Sequence, residues 1–158
     1  MSHVHGVVFT GWVVLFVVQV ALIGYGNPAL HRRLGVLGAV LFGIVAAVGA
    51  MTAINAGRLG HAPPGSPPGL IFMAVPVAAI IATTILVLAA LWNRARREAH
   101  MRYMLAALIA ITPPATHRLA LAAGYFTQAL WIGFGVMDLL LAVAIVYDLR
   151  RNGGVCTA

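Results

Sequence analysis

All ten basic side chains of this chain are arginines, and eight of them stand in three clusters separated by long apolar runs. The clusters are Arg32/Arg33, then Arg94, Arg96, Arg97 and Arg102, then Arg150/Arg151. If each apolar run crosses a bilayer once, the three clusters fall on one side, the positive-inside pattern of a polytopic membrane protein. Five spans satisfy it: residues 6–25, 34–55, 70–92, 101–122 and 126–147, each close to the roughly 20 residues that cross a hydrocarbon core. The N-terminus is then outside and the C-terminus cytoplasmic, with Arg58 and Arg118 left on the outer side. A four-span reading that drops the fourth run sets Arg150/Arg151 opposite the other clusters, so five spans are preferred. The expected fold is an all-α transmembrane helix bundle, a single domain over 1–158, multi-pass in a bacterial inner (plasma) membrane.

Composition agrees. Hydrophobic residues make up 62% of the chain and charged residues 8%, whereas soluble domains carry roughly a quarter charged residues. On a soluble protein a net charge of +7 points to nucleic acid. Here the arginines sit in short turns, so the excess is explained by topology and anionic headgroups, and no nucleic-acid partner is expected. Cys156 is the only cysteine, which excludes an intrachain disulfide and a thiolate metal cluster. The absence of C-x-x-C-H excludes the usual attachment of c-type haem. The first five residues carry no Lys or Arg, and no small-residue cleavage site follows the first apolar run, so that run reads as a retained helix.

Local signals refine the spans. Pro113-Pro114 in the fourth run predicts a kink before His117-Arg118. Residues 57–69, with Pro63, Pro64, Pro67 and Pro68, read as an irregular, stiff outer loop. The opposite loop, Asn93 to Arg102, reads as a helical extension with Glu98 four residues from both Arg94 and Arg102, a spacing for ion pairs. In the second run, Gly35, Ala39, Gly43 and Ala47 recur every four residues, with Gly49, Ala53 and Gly57 on a neighbouring line. Such a stripe lets helix backbones approach in lipid, either as the central packing helix or as an oligomer interface.

Polar groups inside apolar spans are functional hypotheses by default. Asp138 lies near the middle of the fifth span, and a lone carboxylate there is expected to be protonated or paired. Arg118 is the available intramembrane cation, so an Asp138–Arg118 pair is expected, as a structural tie or as a proton-relay or ligand-anchoring site. Gln19 reads as an interhelical hydrogen-bonding group. The six histidines separate by side: His31 and His100 at the inner surface, His3, His5, His61 and His117 at the outer. A b-type haem takes two imidazoles facing each other from neighbouring helices. His31 with His100 is the best inner pair, with Arg32, Arg33 and Arg102 near enough in sequence to meet the propionates. His5 with His117 or His61 is the outer candidate. The alternative for each histidine is an interfacial side chain touching headgroups or a carbonyl. Three acidic residues, Glu98, Asp138 and Asp148, are too few for a di-iron or all-oxygen cation site, and no hydrolase, zinc-protease or phosphate-loop motif occurs. No metal is expected beyond a possible haem iron.

Two segments carry a resemblance. His31-Arg-Arg-Leu-Gly35 follows a first span holding His5-Gly6, Trp12 and Gln19. Arg97-Glu-Ala-His-Met-Arg-Tyr-Met104 leads into a span ending Pro114-Ala-Thr-His-Arg118. The chain resembles a widespread group of small, uncharacterised bacterial integral membrane proteins with an H-R-R-L-G turn before span two and an A-H-K-R-L-M turn before a helix ending in arginine. His5, His31, His100, Arg118 and Asp138 match that pattern, while Met101 and Tyr103 depart from it, standing where the group has a basic residue and a leucine. The resemblance implies the five-span topology and no settled activity. A looser analogy, to b561-type membrane cytochromes, rests on histidines at helix ends.

The sequence therefore leads to a membrane protein binding haem b or a similar cofactor for electron transfer or redox sensing, with His31 and His100 as axial ligands and His5 and His117 as a second pair. The alternatives are a non-catalytic accessory or assembly subunit of a larger complex and a small proton-coupled carrier using Asp138 and Arg118. Five spans without an inverted repeat speak against the carrier. Beyond the lipid bilayer, the expected partners are a larger membrane complex or further copies of the chain.

Overall fold

The computed structural model describes residues 2–62 and 67–152; the expectations for Pro63, Pro64 and Cys156 fall outside them. The described chain is all-helical: α1 (Ser2–Gly24), α2 (Pro28–Arg58), α3 (Gly69–Phe72), α4 (Ala74–Trp92), α5 (Arg97–Ala110), α6 (Pro113–Ala122) and α7 (Ala129–Asn152). Helices α3 and α4 continue one another, as do α5 and α6. The result is five helical segments long and apolar enough to cross a membrane, His3–Gly24, Pro28–Arg58, Gly69–Trp92, Arg97–Ala122 and Ala129–Arg151. This is the architecture of a multi-pass membrane protein.

The first turn shows how local chemistry sets the span ends. Gly26 takes φ +71°, a left-handed conformation that costs glycine little. It closes α1 in a Schellman motif, with Gly26 N–H donating to Ile23 O at 3.1 Å and Asn27 N–H to Leu22 O at 2.8 Å. Asn27 then caps α2, its side-chain oxygen accepting from Leu30 N–H at 3.1 Å, and Pro28 occupies the first helical position. The second helix thus begins six residues before the expected 34, which sets His31 inside its first turns. Helix α6 ends in the same motif at Gly124, with Tyr125 N–H on Ala120 O at 3.0 Å.

The fourth span breaks where the proline pair stands. Pro113 has no N–H and its ring excludes the preceding turn, so α5 stops at Ala110 and α6 restarts at Pro113. Thr112 Oγ1 donates to the freed Ile109 O at 2.7 Å, and Thr116 Oγ1 donates to Pro113 O at 3.1 Å in the first turn of α6.

Helices α1 with α2, α4 with α5, and α6 with α7 form three antiparallel hairpins, and α2 also packs on α3 and α4. Trp12, Phe42, Val45, Val87 and Ala107 join α1, α2, α4 and α5 in one buried core. The small residues of α2 divide differently from the expected stripe. Gly43 and Ala47 are exposed, whereas Gly49, Ala53 and Gly57 are buried. A Cβ on Gly49 would lie 2.9 Å from Ile80 Cδ1 and 3.1 Å from Phe9 Cζ, while one on Gly43 would meet nothing within 4 Å. The line nearer the end of α2 is therefore the packing line.

The loop between α4 and α5 corrects a second expectation. Residues 93–96 form turns, and α5 begins only at Arg97, because Arg94 N–H turns back to Leu91 O. Glu98 consequently pairs with Arg102 alone, at 3.0 Å. Arg102 also donates to Asp148 Oδ1 of α7, from Nη2 at 3.0 Å and from Nε at 3.2 Å. Both side chains are about three-quarters buried (24% and 27% exposed), so this bond fastens α7 to α5 at the arginine-rich end. A double-mutant cycle of Arg102→Gln and Asp148→Asn, read by thermal unfolding in detergent, is expected to give a coupling of about 1 kcal/mol. Additive losses would mean the contact contributes nothing.

Candidate functional site

The arginine-rich end brings His31 and His100 together. His31 stands near the start of α2 and His100 near the start of α5, and each ring is oriented by the hairpin partner of its own helix. His31 Nδ1 lies 3.3 Å from Gln19 O of α1. His100 Nδ1 lies 2.8 Å from Ala90 O of α4. The second bond follows from helix geometry. Ala90 sits in the last turn of α4, where carbonyls lack an intrahelical donor, and Arg94 N–H has gone to Leu91 O. His100 fills that vacancy.

A carbonyl can only accept, so each Nδ1 carries the hydrogen, and in the neutral ring the lone pair is on Nε2. The two ring centres are 6.3 Å apart with their planes at 87°. Both residues are half-buried. Gln19, whose main chain holds His31, has a side-chain oxygen that is buried without a hydrogen-bond partner. Arg32 and Arg33 beside the pair are exposed. Arg102, the third arginine expected near it, is engaged by Glu98 and Asp148.

The opposite end holds the other expected histidines without the same convergence. His5 of α1 stacks on Phe9, ring centres 4.0 Å apart at 30°, and its buried Nδ1 has no hydrogen-bond partner. His117 of α6 is 9% exposed and faces α7 at Gly133. Among the described residues no ring contact joins His5 to His117. His3 and His61 are exposed.

The expected Asp138–Arg118 pair is not formed: among the described residues, no ion pair joins them, and both side chains are exposed. Helical phase explains it. Gly133 is the α7 residue that faces α6, since a Cβ there would lie 3.0 Å from Pro113 O and 3.4 Å from His117 Cβ. Asp138 is five residues on, about 140° around the helix, and so points away from α6.

Two features were not anticipated. Asp148, which the sequence offers only as one of three acids too few for a cation site, is the α7 end of the Arg102 bond. Thr83 is fully buried in α4 with a hydroxyl that has no partner, while its neighbour Thr84 bonds to Ile80 O at 2.7 Å. The signal available for Thr83 was a threonine pair inside an otherwise apolar run.

Among the described residues no group of three His, Cys, Asp or Glu converges as a metal-binding set; the His31–His100 pair offers two ligands. No family model, curated protein or solved structure matches the chain.

Proposed function

We propose that this chain is a bacterial inner-membrane protein, N-terminus outside, that holds haem b between His31 and His100 and transfers electrons or senses redox state. The observation that carries this reading is the disposition of the two imidazoles. The imidazoles of His31 and His100 come from two neighbouring helices with their ring centres 6.3 Å apart, and these two residues would hold the haem between them. A bare ion such as zinc takes three or four protein ligands, whereas a pair suffices for a macrocycle that brings its own equatorial nitrogens. The Gln19 and Ala90 carbonyls fix each ring's tautomer and raise its basicity as a ligand. Arg32 and Arg33 are the exposed cations nearest in sequence for two propionates, and the unmet acceptor on Gln19 is a further polar group for a bound ligand. Bound haem would supply one-electron exchange at a potential set by the residues that hold it and by its burial.

The test is a reduced-minus-oxidised visible spectrum of detergent-purified protein from cells supplied with haem. A sharp α-band with one haem per chain is the expected result. A flat spectrum at full protein concentration overturns the reading in favour of an accessory subunit. A carrier working through Asp138 and Arg118 rests on a pair that does not form.

A further inference from the structure

Asp138 lies about 14 Å along α7 from Ala129 and about 18 Å from Arg150 at 1.5 Å per residue, close to the middle of the span. Its side chain is exposed, and among the described residues it has no ion-pair or hydrogen-bond partner. Carboxyl groups at such depth face the bundle interior or water, or pair with another polar group. The group that satisfies Asp138 is therefore not among the described residues, and a second polypeptide can supply it.

The surroundings of Asp138 identify that group. Trp131, Gly135, Asp138, Ala142, Ile145 and Leu149 follow each other at intervals of four, three, four, three and four residues, and all six are exposed. Other faces of α7 are exposed at the same spacing; what sets this one apart is its polar residue, and a single polar residue on a helix seam fixes register. This face lies on the side of α7 turned away from Ala129 and Gly133, which are buried. Gly135 and Ala142, one before and one after Asp138 on the seam, let a second backbone come close. A long basic side chain from an unrelated helix needs no such approach; a side chain as short as aspartate does.

We propose that the outward seam of α7 is the contact of a parallel two-fold dimer, in which Asp138 of one copy meets Asp138 of the second. Copies inserted in the same direction present the same seam in the same register. A two-fold contact is self-complementary, each residue meeting its own equivalent near the axis. Two facing carboxyls that share one proton form a charge-assisted O–H···O⁻ hydrogen bond and need no cation. The basic ends of the two α7 helices, Arg150/Arg151, emerge together on the arginine-rich side.

The experiment uses the full chain reconstituted in phosphatidylcholine/phosphatidylglycerol vesicles at high lipid-to-protein ratio, with association read by energy transfer between labelled copies. Wild type is expected to dimerise. Asp138→Leu is expected to weaken association about tenfold, the scale of one interhelical hydrogen bond in lipid, and Asp138→Asn, which still donates and accepts, to retain it. Single cysteines in a Cys156→Ser background, without altering Asp138, give an independent readout. Gly135→Cys is expected to cross-link between copies, and Val143→Cys, on another face of α7, is not. A monomeric wild type, equal association of Asp138→Leu, or cross-linking at Val143 in place of Gly135 overturns the proposal and assigns the face to lipid or to a different membrane protein.

Discussion

Substituting His100 by alanine is expected to remove all haem from the purified chain, and substituting His31 is expected to do the same. Under the proposed reading the two rings would hold one haem together, so deletion of either would leave a single imidazole for it. His5→Ala and His117→Ala are expected to keep the α-band and the stoichiometry, because those residues are not in ring contact at the opposite end of the bundle. His100 also satisfies the Ala90 carbonyl at 2.8 Å, so its loss removes a helix cap as well as a ligand, at about 1 kcal/mol. Two controls separate these effects. The helical circular dichroism of His100→Ala is expected to match wild type, and free imidazole added to the variant is expected to restore the band by filling the vacated position. His31→Met, which keeps a soft axial donor, is expected to retain haem at a more positive potential. If His31→Ala and His100→Ala both carry wild-type haem, the axial assignment fails even though the chain is a cytochrome; haem halved by each of the four histidine variants means two sites.

Most of the architecture was legible because bilayer physics leaves few choices. Arg32/Arg33, the cluster from Arg94 to Arg102, and Arg150/Arg151 bounded the apolar runs, and run length fixed the number of spans. Pro113-Pro114 located the break in the fourth. His31 and His100 were singled out because both stand where arginine-rich turns enter helices, and antiparallel hairpins bring such turns to one end. Helical phase was the part that run-length reasoning missed. Asp138 and Arg118 are close in sequence and joined by a short turn, but Gly133 sets the face of α7 that meets α6 and leaves Asp138 on the other side. The same holds in α2, where Gly43 and Gly49 are equally small and only contact with Ile80 and Phe9 distinguishes them. Which carbonyl lacks a donor, the fact that orients His100, depends on how α4 ends and is not written in any spacing.

The α6–α7 contact yields a large expected effect on stability. Gly133 is the point of closest approach: a Cβ would stand 3.0 Å from Pro113 O, 3.4 Å from His117 Cβ and 3.5 Å from His117 N. Two of those three atoms are main chain at the start of a proline-initiated helix, which cannot yield as a side-chain tip can. Thr116 Oγ1 crosses the same contact to Gly133 O at 3.4 Å, so separating the helices also loosens that bond. Gly133→Val adds two methyl groups beyond Cβ in this space and is expected to cost about 1–3 kcal/mol, the range for overpacking a close contact. The readout is a lower midpoint of thermal unfolding in detergent. Gly43→Ala is the matched control: it lies mid-helix with nothing within 4 Å of its Cβ position, so the helix preference of alanine should add up to about 1 kcal/mol of stability and raise the midpoint. Because His117 rests on Gly133 while the His31–His100 pair lies at the other end, Gly133→Val is expected to lower stability without lowering haem per folded chain. A Gly133→Val protein that melts with wild type would mean that α6 and α7 are not held at this distance. One that unfolds early and also loses haem in proportion, while still folded, would mean that the two ends of the bundle act as one site.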